Sequence, residues 1–190
     1  MKTNVSQRTA MMVRLALLAA VSLALVLVTQ IPFPPAPFLK YDAADIPILL
    51  TAFAFGPAAA MAITLVVSFV QAFFLGGDGL IGFCMHIIST GTFVLVAGLI
   101  YKKQKTRKGA VAALIAGALT MTASMLLWNY IVTPFYMGVD RAYVMTLLVP
   151  VFLPFNLLKA AINAGVTFLI YKPLSPYLHG EAGARVRTKA

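Results

Sequence analysis

Hydrophobic positions run in long unbroken blocks, not at the three-to-four-residue spacing of a soluble amphipathic helix. Five blocks stand out, at roughly 12–31, 46–75, 80–101, 109–133 and 143–171. Apolar runs of about 18 residues or more are long enough to cross a hydrocarbon core, so the pattern predicts an all-α polytopic membrane protein. The second block would reach about 45 Å as one helix, against a hydrocarbon core of about 30 Å. Its middle reads AFAFGPAAA. Gly56 followed by Pro57 is a stop and restart, because proline lacks the amide proton and fits a first helical turn. The block is either one kinked helix or two helices, a short one near 46–55 and a fuller one near 57–75.

Charge separates these two cases. Lys2, Arg8 and Arg14 lie at the first end, Lys102, Lys103, Lys105, Arg107 and Lys108 fill the KKQKTRK segment, and Lys172, Arg185, Arg187 and Lys189 close the chain. Six spans put all of these on one side and leave only Lys40 and Arg141 in the opposite loops, with Lys159 inside a span. Five spans would set KKQKTRK opposite the N-terminus. The positive-inside rule therefore predicts a six-helix bundle with a short second helix and both termini cytoplasmic, in the cell membrane. A helix of about ten residues cannot cross the bilayer alone and needs shelter from its neighbours. Residues 1–173 read as a single transmembrane domain, and 174–190 as a disordered cytoplasmic tail.

Composition agrees with this reading. The chain is 61% hydrophobic and 11% charged, with a mean hydropathy of +0.92; soluble domains carry about 25% charged residues. The first block is too long for a signal-peptide core and has no convincing small-residue cleavage site after it, so it reads as a retained span. The net charge of +10 lies in short segments between spans and is not interleaved with aromatics, which argues against a nucleic-acid partner. The single Cys84 excludes an internal disulfide and a cysteine-only metal site. His86 stands alone in an apolar helix and His179 in the tail, where a packing or surface role outweighs a metal or proton-relay role.

The candidate chemistry lies at the external side. Asp42, Asp45, Asp78 and Asp140 all fall there, and the only glutamate is Glu181 in the tail. The stretch IPFPPAPFLKYDAADIP holds prolines at 32, 34, 35 and 37, which pre-set a stiff, extended backbone. Such a loop is one wall of a solute pocket or an ordinary solvated connection. Lys159 lies within a span, where a charge is costly and usually faces a cavity or a partner. Asn156 and Asn163, three residues before and four after it, share its helix face. Lys159 is open to three readings: a ligand contact, a snorkelling cation, or a structural partner of an external aspartate. The asparagines serve a ligand or join helices. Asn129 sits near the external end of the preceding span, between Trp128 and Tyr130, which are interfacial anchors or stacking surfaces. Ala16, Ala20 and Ala24 form a stripe of small residues that permits close helix approach, either within the bundle or to a partner.

No phosphate-binding glycine motif is present, and acidic residues are nearly absent from the spans, which weakens an ion-coupled carrier. A self-sufficient pump is disfavoured, and the chain does not read as an enzyme. The stretches PFLKYDAADIPILLTAFAFGP (37–57), GLIGFCMHIISTGTFVLVAGLIYKK (79–103) and FNLLKAAIN (155–163) resemble the substrate-binding S components of energy-coupling factor transporters, the riboflavin branch in particular. The resemblance extends over about residues 10–173. It implies six helices with internal termini, riboflavin as transported substrate with no cofactor, and assembly with a transmembrane coupling protein and two ATPase subunits that use the ATP. It further implies that Leu39, Lys40, Asp42, Asn129, Asn156 and Lys159 approach the vitamin, and that Ala16, Ala20 and Ala24 meet the coupling protein. Another vitamin on the same scaffold, such as folate, thiamine or biotin, and a structural or assembly membrane protein are the competing readings.

Overall fold

The computed structural model describes residues 2–76 and 78–178, with side chains from residue 7 onward. Helix α1 (Lys2–Thr29) leads into a two-stranded hairpin, β1 (Ile31–Phe33) and β2 (Ala36–Tyr41). Then follow α2 (Asp45–Ala54), α3 (Pro57–Phe74), α4 (Gly79–Lys103) and α5 (Arg107–Met137). The final stretch is one continuous helical unit, made of α6 (Arg141–Leu147), a π-helical turn (Leu148–Phe152) and α7 (Leu153–Leu178). Among the described residues, five helical stretches are long and apolar enough to cross a membrane, and α2 is the short sixth. The protein is an all-α, six-helix polytopic membrane bundle.

The break between α2 and α3 falls at Gly56–Pro57, as the sequence predicts. Gly56 has φ +92°, a conformation that side chains disfavour, and Pro57 opens α3 at its first turn. The proline-rich stretch differs from the single extended loop expected. It folds back on itself, pairing Ile31 with Tyr41 and Pro32 with Lys40 in an antiparallel register. Pro34 and Pro35 make the turn, where missing amide protons cost nothing. The π turn was also not foreseen. Pro150, at its centre, cannot donate the i→i−4 bond, and the helix widens there. The expected boundary at residue 173 lies inside α7, which carries through Pro173 and Pro176 to Leu178; residues 179–190 of the tail, with His179, lie outside the described residues.

Packing places α2 at the centre, in contact with α1, α3, α4 and α7. Nine of its ten residues are buried, so it is sheltered as a non-spanning helix must be. The α4–α5 interface is tight enough that a Cβ on Gly117 would fall 2.7 Å from the Phe93 ring. Below the centre, Phe53, Tyr101 and Tyr171 close the bundle, with the Phe53 and Tyr101 rings stacked at 4.2 Å. Large apolar residues such as Leu17, Val28, Leu119, Leu127 and Leu169 are exposed on the outside, as expected of a surface solvated by lipid. Arg8, Arg14, Lys102–Lys108 and Lys172 gather at the end opposite the hairpin.

That charge distribution predicts which end faces the cytoplasm. In a Cys84→Ala background, Lys105→Cys should resist a membrane-impermeant maleimide in intact cells and react after permeabilisation. Labelling from outside would invert the topology.

Candidate functional site

Asp42 and Asp45 do not lie on the surface of an external loop. They are 3% and 2% exposed, because the chain after β2 dips into the bundle. Asp45 accepts a 2.6 Å hydrogen bond from Thr90 Oγ1, a residue 11 positions, or about 16 Å, from the start of α4. Irregular backbone at that depth is tolerated only when protein encloses it and supplies every partner.

Those partners are present. Lys159 Nζ sits 3.0 Å from Asp42 Oδ2 and 4.0 Å from Asp45 Oδ2. Asn163 Nδ2 donates to Asp45 Oδ2 at 3.1 Å and to the Asp42 carbonyl at 3.4 Å, while its Oδ1 accepts from Tyr41 OH at 3.0 Å. The other Asp42 oxygen accepts from the amide of Ala44 at 3.1 Å. Thr29, at the end of α1, accepts from the amide of Ala43 at 3.0 Å. One polar cluster thus joins α1, the hairpin, α2, α4 and α7.

Above the cluster lies a cavity of about 220 Å³. Its walls come from the hairpin and the outer parts of α3, α4, α5 and α7, and Lys40, Asp78 and Tyr136 stand at its mouth. Tyr136 OH donates to Asp78 Oδ1 at 2.8 Å. All six side chains expected to approach the vitamin line this one cavity: Leu39, Lys40, Asp42, Asn129, Asn156 and Lys159. Leu39 is half-buried and Lys40 exposed, while the other four are buried.

The two asparagines are fixed by local bonds. Asn129 Nδ2 donates to Met125 O at 2.7 Å, and its Oδ1 accepts from Thr133 at 2.8 Å. Asn156 Nδ2 donates to Phe152 O at 2.8 Å, at the end of the π turn. Each carboxamide keeps unused hydrogen-bonding capacity. Lys159 has three N–H donors, and Asp42 takes one of them. Trp128 lines the cavity, whereas Tyr130 carries Arg141 on its ring at 5.2 Å. Phe33 packs on Phe155 at 5.4 Å and Phe38 on Phe152 at 6.2 Å, seating the hairpin on the last helical unit.

Sequence reasoning missed Gln71, Ser89, Met85, Met125 and Thr133, and left His86 as a packing residue; all six line the cavity. The available signal was a neutral polar side chain inside an apolar run, which a search keyed to charge passes over. Ala16, Ala20 and Ala24 lie elsewhere. All three are exposed on α1, so the stripe is not consumed by packing within the bundle. Among the described residues no group of His, Cys, Asp and Glu side chains is arranged to hold a metal.

Residues 10–171 match the family described as ECF transporter, substrate-specific component. The chain is 30% identical over 179 residues to the riboflavin transporter RibU of Staphylococcus aureus (strain TCH60), covering 90% of this chain and 94% of that protein. It is 32% identical over 173 residues to RibU of Streptococcus thermophilus (strain ATCC BAA-250 / LMG 18311), covering 86% and 82%. A solved S component of a bacterial ECF transporter superposes with a TM-score of 0.78 at 28% identity, covering 90% of this chain and 98% of the other.

Removing one member of a buried ion pair leaves the other charge stranded, at a cost of about 3–5 kcal/mol. Lys159→Met should therefore destabilise the purified protein by about that amount, and adding Asp42→Asn should recover much of it. Thermal unfolding in detergent measures both. A single variant that melts with the wild type would show that the pair does not anchor the hairpin.

Proposed function

The chain belongs to the substrate-specific component family of ECF transporters, and from that membership we propose that it binds riboflavin and admits it to the cell as the membrane subunit of such a transporter. The family's task is transport, not catalysis, and the chain is a multi-pass membrane protein. The observation that carries the reading is the cavity, in which all six expected side chains meet, two of them, Lys159 and Asp42, as a buried ion pair at its base.

The chemistry suits a flavin. The isoalloxazine ring is planar, with a pyrimidinedione edge that presents two carbonyls and an N–H. A carboxamide both donates and accepts, so Asn129 and Asn156 can read that edge, and Lys159 adds a donor for a carbonyl oxygen. Because both amides are already held by helix-local bonds, they lose little freedom when a rigid ligand arrives. Trp128, Met85 and Met125 supply aromatic and thioether surface for the faces of the ring. Leu39 and Lys40 belong to the hairpin and cover the ligand from outside.

The sequence has no phosphate-binding glycine loop, so energy comes from partner subunits: one transmembrane coupling protein and two ATPases. The exposed Ala16–Ala20–Ala24 stripe is the surface for the coupling protein. Small side chains at a four-residue spacing let a partner helix approach the backbone closely, where dispersion contacts accumulate.

Titration of the purified protein with riboflavin, followed by quenching of flavin fluorescence, tests the binding assignment. Asn129→Leu and Asn156→Leu should each weaken binding by about 1–3 kcal/mol, the cost of leaving a polar group of the ligand unpaired. Wild-type affinity in both variants would remove the ring edge from this wall. Ala20→Trp tests the partner face. It should abolish riboflavin uptake by cells while the isolated protein binds normally, and full uptake would sink the assignment.

A further inference from the structure

We infer that Gln71 binds the hydroxylated side chain of the flavin and makes the site prefer a ligand that carries a polyol; the inference rests on the riboflavin reading above. Gln71 is 4% exposed and lines the cavity one turn before α3 ends at Phe74. Its backbone carbonyl is spent on Leu75 N at 3.3 Å. Its carboxamide has no partner among the described residues, yet it is not among the polar atoms sealed away from the cavity. A primary amide left dry inside a bundle costs free energy that a native fold rarely tolerates without a ligand or water to meet it.

Depth and rigidity separate the two ends of the ligand. Asn129 and Asn156 are pinned by bonds to their own helices, which suits a flat ring edge whose atoms cannot adjust. Gln71 has no such bond and three side-chain torsions, which suits a flexible chain of hydroxyls that each donate and accept. It lies in the last turn of α3, just below the exposed Gly76 and Asp78 that line the same cavity. A ligand placed with its ring over the buried cluster and its polyol toward the mouth keeps its most polar part nearest water. The opposite placement would bury the hydroxyls deepest.

Lumiflavin has the same ring with a methyl group in place of the ribityl chain, so comparing it with riboflavin isolates the tail. In detergent-purified full-length protein, Gln71→Leu should weaken riboflavin binding by about tenfold, as expected for one or two lost hydrogen bonds, and leave lumiflavin within about twofold. Gln71→Met, of similar length, should repeat the pattern, and retained lumiflavin binding certifies the fold of each variant. Equal losses for the two flavins in both variants, or no loss for riboflavin, would overturn the role of Gln71 alone. A wild-type protein that binds neither flavin overturns the riboflavin reading and this inference with it.

Discussion

A lysine and two aspartates inside a lipid-facing bundle must satisfy one another, and the architecture follows from that requirement. Lys159 at 3.0 Å from Asp42 and 4.0 Å from Asp45 is affordable only if the remaining lone pairs also find donors. Thr90, Asn163 and the amide of Ala44 supply them. Four helices and the hairpin must converge on one place for this to happen. The short α2 is a consequence: its first residue, Asp45, is held at mid-depth, so only ten residues are needed to reach the Gly56–Pro57 break. A longer α2 would carry Asp45 out of reach of Thr90 and Asn163.

The same anchoring leaves the external half of the bundle open. With α2 starting at mid-depth, the space above it is shared by a thin hairpin and the cavity. The hairpin is held at two levels: by the ion pair at its base, and by Phe33 and Phe38 against Phe155 and Phe152 along its length. It is a cover with a charged root and an apolar flank. The π turn serves this arrangement, because it sets Phe152 and Asn156 on the side that faces the hairpin and the cavity. Pro150, which has no amide proton to donate, stands at the centre of the turn.

Much of this was legible because membranes enforce simple rules. Block lengths, the Gly-Pro break and the distribution of lysine and arginine define six helices without reference to packing. The six residues that line the cavity as expected came from one intramembrane lysine, polar spacing around it and a family resemblance. Less visible was where the charges would go. Pairing of Lys159 with Asp42 across 117 positions is a tertiary fact, and sequence left it as one of several readings. The hairpin was hidden because its prolines argue against regular strands; it survives as an isolated edge pair, where missing donors point to solvent. Gln71 and Ser89 were passed over because a neutral amide or hydroxyl in an apolar run carries no charge signal, although the cost of leaving it unpaired is comparable.

The cavity and the exposed alanine stripe, the proposed binding site and partner face, are joined through α1. Its exposed stripe, Ala16, Ala20 and Ala24, looks outward, while Leu18, Ser22 and Val26 on the opposite side are buried in the bundle. The helix contacts α2 and α3, and its last residue, Thr29, holds the amide of Ala43 next to Asp42. Any tilt that a partner imposes on α1 therefore acts on the root of the hairpin through one hydrogen bond and a close-packed helix, not through a flexible linker. Interiors packed at crystal-like density transmit displacement instead of absorbing it. On the proposed function such a connection is required, since work done by a partner on the outer face has to reach a ligand enclosed on the other side of α2.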